Sequence, residues 1–308
     1  MKLASFRSQG EVRIGALVED RLVDITDVVA GLKFPAERIE ALAAAGCSSP
    51  ATGMLRLLCA GRAGMEEVGR HVETQASSAL LDRHLPLSRA VLLAPVPRPG
   101  KIVGVGRNYA DHAKEIGSEV REQPRIFTKV PSCVAAPGGV VKRPAAVAKL
   151  DFEAELAVVI GAYASNVPRA RALEFVAGYT ALNDVSAREF QFDVSPPQTS
   201  FAKSMDGFCP MGPWLVTADE IPDPQALEIT CRVNGEVMQR GHTSEMIFPV
   251  DRLIEYISRF VTLEPGDVIA TGTPAGVGAF RKPPVWLTPG DRIRIEISRI
   301  GVLEHSIG

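Results

Sequence analysis

The chain has 308 residues, 46% hydrophobic and 23% charged, with 34 Lys+Arg against 36 Asp+Glu for a formal net charge of -2. This is the composition of an ordinary globular protein, long enough for one large domain with a smaller companion. No clustered basic run suits the phosphates of nucleic acid, and no stretch approaches the ~20 apolar residues needed to cross a bilayer, so neither is expected as a partner.

The opening MKLASFRSQGEVRIG lacks the apolar run of a signal peptide, which makes a cytoplasmic protein the expectation. VRIGALVEDRLVDITD alternates apolar and polar positions and predicts short strands with a turn at Glu19 and Asp20. AERIEALAAAG and TGMLRLLCAGRAGMEEVGRHVE carry helical spacing with few β-branched residues. LLAPVPRPGK crowds Pro and Gly into a short span and reads as a linker. We place the boundary there, with a smaller N-terminal α+β domain over residues 1–95 and a second domain over 96–308.

Beyond the boundary, PRARALEFVAGY and PVDRLIEYISRF predict two amphipathic helices, each with Pro near its start. CRVNGEVMQ sets Asn234-Gly235 between two apolar-bearing runs, the pair best suited to a type I′ hairpin turn. EPGDVIATG and TPGDRIRIEI each show a Pro-Gly-Asp turn launching a strand. The expected class is α+β but mainly β, largely antiparallel, with no long-period repeat. Cys47, Cys59, Cys133, Cys209 and Cys231 are scattered and never spaced as CxxC, so they read as buried, reduced hydrophobes rather than a disulfide framework or a zinc site.

DFEAELAVVIG is the chemically pointed stretch. On a strand, Glu153 and Glu155 share one face with Asp151, Ala157 and Val159, while Phe152, Leu156, Val158 and Ile160 take the other. Two readings stand: a half-buried strand whose acidic face meets water, or two carboxylates converging in a cleft, where a cation would neutralise their repulsion. AGYTALNDVSARE adds a third acid, Asp184, at the end of another apolar run. Three carboxylates without a His or Cys cluster suit Mg²⁺ or Mn²⁺ better than zinc. ATGTPAGVG is glycine-rich but lacks the Lys-Ser/Thr ending of a P-loop, and GVGRNY has Tyr109 where a dinucleotide fingerprint needs its third Gly, so no nucleotide cofactor is expected.

Taken in order, GVGRNYADHAKEIG, DFEAELAVVIG, GYTALNDVSAREFQ, FAKSMDGFCPMGP and ATGTPAGVG closely resemble the catalytic domain of the fumarylacetoacetate hydrolase family, from about Lys101 to the C-terminus. The resemblance implies a mixed β-sandwich roll, a divalent metal (Mg²⁺ or Mn²⁺) and a homodimer. It places the metal ligands on Glu153, Glu155 and Asp184. It puts Lys203 beside the metal, where a solvated surface lysine is the alternative, and Arg188 and Gln191 on the substrate, where an exposed helix turn is the alternative. Thr273 and neighbouring amides would hold a substrate carboxylate, the alternative being a plain glycine turn. His112 and Glu115 fall three apart, as neighbours on a helix, and match a dyad that members hydrolysing acylpyruvates or decarboxylating oxaloacetate carry on a short lid helix. The implied reaction is hydrolysis of a carbon–carbon bond in a small-molecule 2,4-dioxo acid through a metal-stabilised pyruvate enolate, with Lys203 assisting. Oxaloacetate decarboxylation, isomerisation of 2-hydroxydienedioates in aromatic catabolism, and a non-catalytic metal-stabilised binding dimer are the alternatives.

Overall fold

A computed structural model describes residues 1–33, 53–115 and 122–308. The expected helix AERIEALAAAG and Cys47 lie outside the described residues. Lys2–Ser8, Glu11–Val18 and Arg21–Asp24 form an antiparallel meander, and the turn falls where the alternation places it, with Glu19 at φ 52°. The helical run that follows spans Gly53–Gln75 but is two helices joined at Gly61, whose φ of 63° and ψ of -151° only glycine adopts freely.

The larger sheet runs in the order Leu85–Pro86, Arg21–Asp24, Glu11–Val18, Lys2–Ser8, Cys209–Thr217, Val176–Asn183, Ala154–Ile160, Val268–Ala270, Ile102–Gly106, Arg125–Lys129. Its central strands are antiparallel except where Val268–Ala270 runs parallel to Ile102–Gly106. A second sheet orders Glu236–His242, Glu228–Val233, Arg292–Ile297, Gly301–Ile307 and Val140–Val141. The Asn234-Gly235 hairpin has both turn residues at positive φ, 52° and 87°, as type I′ requires, and the turns at Gly266 and Gly290 launch strands as expected.

Strand Ala154–Ile160 is buried along its whole length. Leu156, Val158 and Ile160 join a cluster with Ile229, Ile293 and Leu303 of the second sheet. Ala157 and Val159 face the other way, into a cluster with Met54, Leu57 and Val68 of the Gly53–Gln75 segment. The large sheet is thus covered on both faces, which makes the fold a mixed β-sandwich roll of α+β, mainly β class. One expectation changes: PRARALEFVAGY is a 3₁₀ helix over Arg169–Phe175, and Val176 onward is already strand. The β-branched Val176 and the aromatic Tyr179 pack into the core as strand residues, which decides the competition. PVDRLIEYISRF is helical over Val250–Ser258, burying Leu253, Ile254 and Ile257. Among the described residues no helix is long and apolar enough to cross a membrane. Cys59, Cys133, Cys209 and Cys231 are buried, and none of them forms a disulfide among the described residues.

Candidate metal centre

The register of two core strands brings the acids together. Ala154 pairs with Asn183 and Glu155 with Leu182, so Glu153 and Asp184 meet just past the paired ends. Asp184 N donates to the Glu153 carbonyl at 2.9 Å, and Glu153 N donates to Asn183 Oδ1 at 2.9 Å. One carboxylate oxygen from each of Glu153, Glu155 and Asp184 lies within 4.8 Å of the others. The reading in which an acidic strand face meets water is overturned: these residues are 7%, 1% and 0% exposed. Both faces of the strand are covered, and of the three acids Glu153 borders a cavity.

Cations surround the triad. Lys203 Nζ donates to Glu153 Oε2 at 2.9 Å, Asp184 Oδ2 at 2.6 Å and Ser186 Oγ at 2.8 Å. It is 4% exposed, so it is not a surface lysine. Arg188 pairs with Asp151 at 2.8 Å and Glu153 at 2.7 Å and donates to Gln191 Oε1 at 2.9 Å. Arg188 and Gln191 are buried, which removes the exposed-turn reading. Lys129, for which no sequence signal stands out, donates to Asp184 Oδ1 at 2.7 Å and to the carbonyls of Lys203 and Phe208.

The charges do not balance. Four buried carboxylates (Asp151, Glu153, Glu155, Asp184) face three buried cations (Lys129, Arg188, Lys203). Burial pushes the Glu153 carboxyl up, but Lys203, Arg188 and His112 outweigh it and hold it at about 2. Glu155 has less help: burial first, then Asp184 and Glu153, push its carboxyl well above the usual range, and the Lys203 ammonium and the Gly272 N–H at 2.8 Å only partly offset them. A buried carboxylate short of positive charge, with two more within reach, is a donor set that fits a hard divalent cation. Gly272 makes this possible sterically: at φ 97°, a β-carbon there would meet Asn108 Cβ at 2.8 Å and the Val105 carbonyl at 3.0 Å.

Helix Ala110–Glu115 carries the dyad. His112 Nδ1 lies 3.1 Å from Glu115 Oε2, and the Gly276 N–H donates to both Glu115 oxygens at 3.1 and 3.3 Å. His112 is buried and stands edge-on to Phe280, ring centroids 6.2 Å apart. His112, Glu153, Arg188, Gln191, Lys203 and Thr273 all line one cavity of about 320 Å³. Thr273 is more than a glycine turn: its hydroxyl donates to the Ala154 carbonyl at 2.8 Å and accepts from Gln239 Nε2 at 2.7 Å. Asn108 was also missed. Its side-chain amide donates to the Phe248 and Thr271 carbonyls and accepts from Phe248 N, tying the start of the dyad helix to two other segments.

The family model described as fumarylacetoacetate (FAA) hydrolase C-terminal matches residues 101–308. The mitochondrial oxaloacetate tautomerase FAHD2A of Bos taurus is 45% identical over 254 residues, covering 82% of this chain and 79% of that protein. The fumarylacetoacetate hydrolase of psychrophilic Exiguobacterium antarcticum aligns at 37% identity and a TM-score of 0.79, covering 100% of this chain and 99% of that one. Maleylpyruvate hydrolase from Sphingobium sp. SYK-6, solved with manganese(II) ion and pyruvate, aligns at 31% identity and a TM-score of 0.77, covering 100% and 98%.

Proposed function

Because this chain belongs to the fumarylacetoacetate hydrolase family, whose members are enzymes, we propose that it hydrolyses a carbon–carbon bond of a 2,4-dioxo acid of the acylpyruvate type. The observation that carries the reading is the His112–Glu115 pair, whose buried His112 borders the same cavity as Glu153 of the acidic triad. Glu153, Glu155 and Asp184 would hold Mg²⁺ or Mn²⁺, which when bound supplies Lewis-acid polarisation of a chelating 2-oxo acid.

The remaining work falls to the chain's own residues. With its Nδ1 proton on Glu115, His112 presents Nε2 as a base that takes a proton from water. The water oxygen bonds to the distal carbonyl carbon, the C3–C4 bond breaks, and its electron pair leaves as the pyruvate enolate, which is reprotonated at C3. The Lys203 ammonium offsets the charge on that enolate. Arg188 and Gln191, bonded to each other, orient the substrate oxygens. The Thr273 hydroxyl proton is already given to Ala154, so Thr273 serves the substrate carboxylate through its backbone amide. We take the enzyme to be a cytoplasmic homodimer acting on a free oxo acid, with the units 1–95 and 96–308 joined where Lys2–Ser8 pairs with Cys209–Thr217.

The whole-length likeness to a maleylpyruvate hydrolase solved with manganese(II) and pyruvate supports this reading. A second reading, keto–enol interconversion of oxaloacetate, is favoured by the tautomerase relative; it would use His112 to move a proton at C3 without attacking a carbonyl. The two part company on acetylpyruvate. Metal-dependent loss of its enol absorbance, abolished by excess chelator and matched by pyruvate, is the expected result. No pyruvate, together with accelerated enol–keto exchange of oxaloacetate, would discard hydrolysis in favour of the second reading.

A further inference from the structure

One buried carboxamide joins the two halves of the site. Ala154 stands between the ligands Glu153 and Glu155, and both of its backbone groups are held by side chains. Its N–H donates to Gln239 Oε1 at 3.0 Å, and its carbonyl accepts from the Thr273 hydroxyl at 2.8 Å. Gln239 Nε2 donates in turn to Thr273 Oγ1 at 2.7 Å, which closes a ring of hydrogen bonds through Ala154, Gln239 and Thr273. The second Nε2 hydrogen goes to the Pro274 carbonyl at 2.8 Å. The amide can sit only one way round, since Ala154 N offers a proton and the Pro274 carbonyl requires one.

Gln239 comes from the second sheet, on strand Glu236–His242, 85 positions from Ala154 in sequence. It is buried, and the loop it grips also aims the dyad. Gly276, two residues beyond Pro274, donates its N–H to both oxygens of Glu115. Loop and strand are in direct contact there. Gly276 has a φ of 104°, and a β-carbon on it would collide with the Met238 carbonyl. Arg281 clamps the contact, with Nη2 donating to the Met238 carbonyl at 2.7 Å and Nε to the Gly276 carbonyl at 3.3 Å. Any shift of Gln239 therefore moves the backbone between two of the acids and the segment behind Glu115 together.

We propose that Gln239 is a positioning residue that sets the distance between the metal ligands Glu153 and Glu155 and the His112–Glu115 dyad. It acts through Ala154, Thr273 and the Pro274–Gly276 turn and is not among the residues lining the cavity. The dyad works on a substrate held at the triad, so that distance decides the reach of His112 Nε2, and an error of ~1 Å costs on the order of 10²-fold in rate. The inference rests on the triad as the metal site and the dyad as the base, and not on which bond is broken.

Gln239→Met keeps the volume and removes all three of its bonds. Calorimetric titration is expected to show Mn²⁺ affinity lower by about tenfold to a hundredfold, the loss that follows removal of a group supporting a ligand. At saturating Mn²⁺, kcat for acetylpyruvate should fall by about the same factor while KM changes little. Thr273→Val breaks the ring from the other side and should show a smaller loss of both. Combined with Gln239→Met it should add less than its separate effect, and it carries the test if Gln239→Met does not fold. A residue that only fills the core would lower the unfolding temperature and leave Mn²⁺ affinity and kcat of the folded protein unchanged, and that result would overturn the inference. Loss of one without the other would overturn it too, since the role claimed is the tie between acids and dyad. Acetylpyruvate left uncleaved by the unaltered protein would end the hydrolase reading alone, and the same variants would then be judged on Mn²⁺ affinity and on kcat for oxaloacetate tautomerisation. Absence of Mn²⁺ binding by the unaltered protein would remove the triad as the metal site and the inference with it.

Discussion

Lys129 Nζ sits 2.7 Å from Asp184 Oδ1 with both side chains fully buried, so the aspartate is anchored from a strand that contributes none of the three acids. Burial opposes the charge on Lys129, but Asp184, and after it the Cys209 and Cys133 sulfurs, keep it protonated more firmly than an ordinary lysine. Lys129→Met leaves Asp184 Oδ1 buried without its cation while Lys203 still holds Oδ2, at a cost of about 3–5 kcal/mol. Thermal unfolding should drop by roughly 6–20 °C at ~2–4 °C per kcal/mol, and adding Asp184→Asn should restore part of the loss. An unchanged unfolding temperature would show that this pair is not what holds Asp184.

Glu155→Gln removes the carboxyl that the site supports least. The metal-free protein should become more heat-stable, because a neutral amide replaces an acid crowded by Asp184 and Glu153. Mn²⁺ affinity should fall by at least ~100-fold, since a ligand is lost rather than a supporting group. Calorimetric titration with Mn²⁺, paired with melting in chelator, reads both; undiminished Mn²⁺ binding would move the metal away from the triad.

His112→Ala should lower turnover by about 10²–10⁴-fold while sparing Mn²⁺ binding. Glu115→Gln should cost less, because it leaves the imidazole in place and changes only the charge behind Nδ1. Full activity in His112→Ala would remove the dyad from the reaction.

His305 is buried against Asn183, with its Nε2 2.8 Å from the Asn183 amide, and burial lowers its imidazole to about 4. The folded state therefore refuses a proton that the unfolded chain accepts near its ordinary 6.5. Its contribution to stability is complete above that pH and is lost progressively between about 6.5 and 4, up to ~3 kcal/mol in all. Urea midpoints at pH 7 and 4.5 should differ less for His305→Gln than for the parent chain. Identical pH dependence would assign the acid sensitivity elsewhere.

Much of this was legible from residue order. Alternation alone separated the two faces of the strand that carries Glu153 and Glu155, and the contacts divide as it required: Leu156, Val158 and Ile160 to one cluster, Ala157 and Val159 to the other. The dyad spacing and the Asn234-Gly235 turn are local, and local signals survive folding. Lys129, Asn108 and the Asp151–Arg188 pair were not legible, because each acts on a partner at least 37 positions away. A lysine in RIFTK looks like any strand-end lysine until the sheet order places it beside Asp184. Helicity in PRARALEFVAGY was misjudged for the related reason that Val176 and Tyr179 gain more from the sheet than their neighbours gain from a longer helix.

Among the described residues, the strand Arg125–Lys129 lies at the edge of the large sheet, paired to Ile102–Gly106 on one side only. Slipping it by one residue would turn Ile126 and Thr128 inward and send Arg125, Phe127 and Lys129 to solvent. Such a chain could keep its interior intact, since the two main apolar clusters contain none of these five residues. It would be compact yet inert, having lost the anchor of Asp184. Assembly of the active centre is thereby tied to the alignment of a single peripheral strand, and a refolding experiment should find recovery of activity lagging behind recovery of the core.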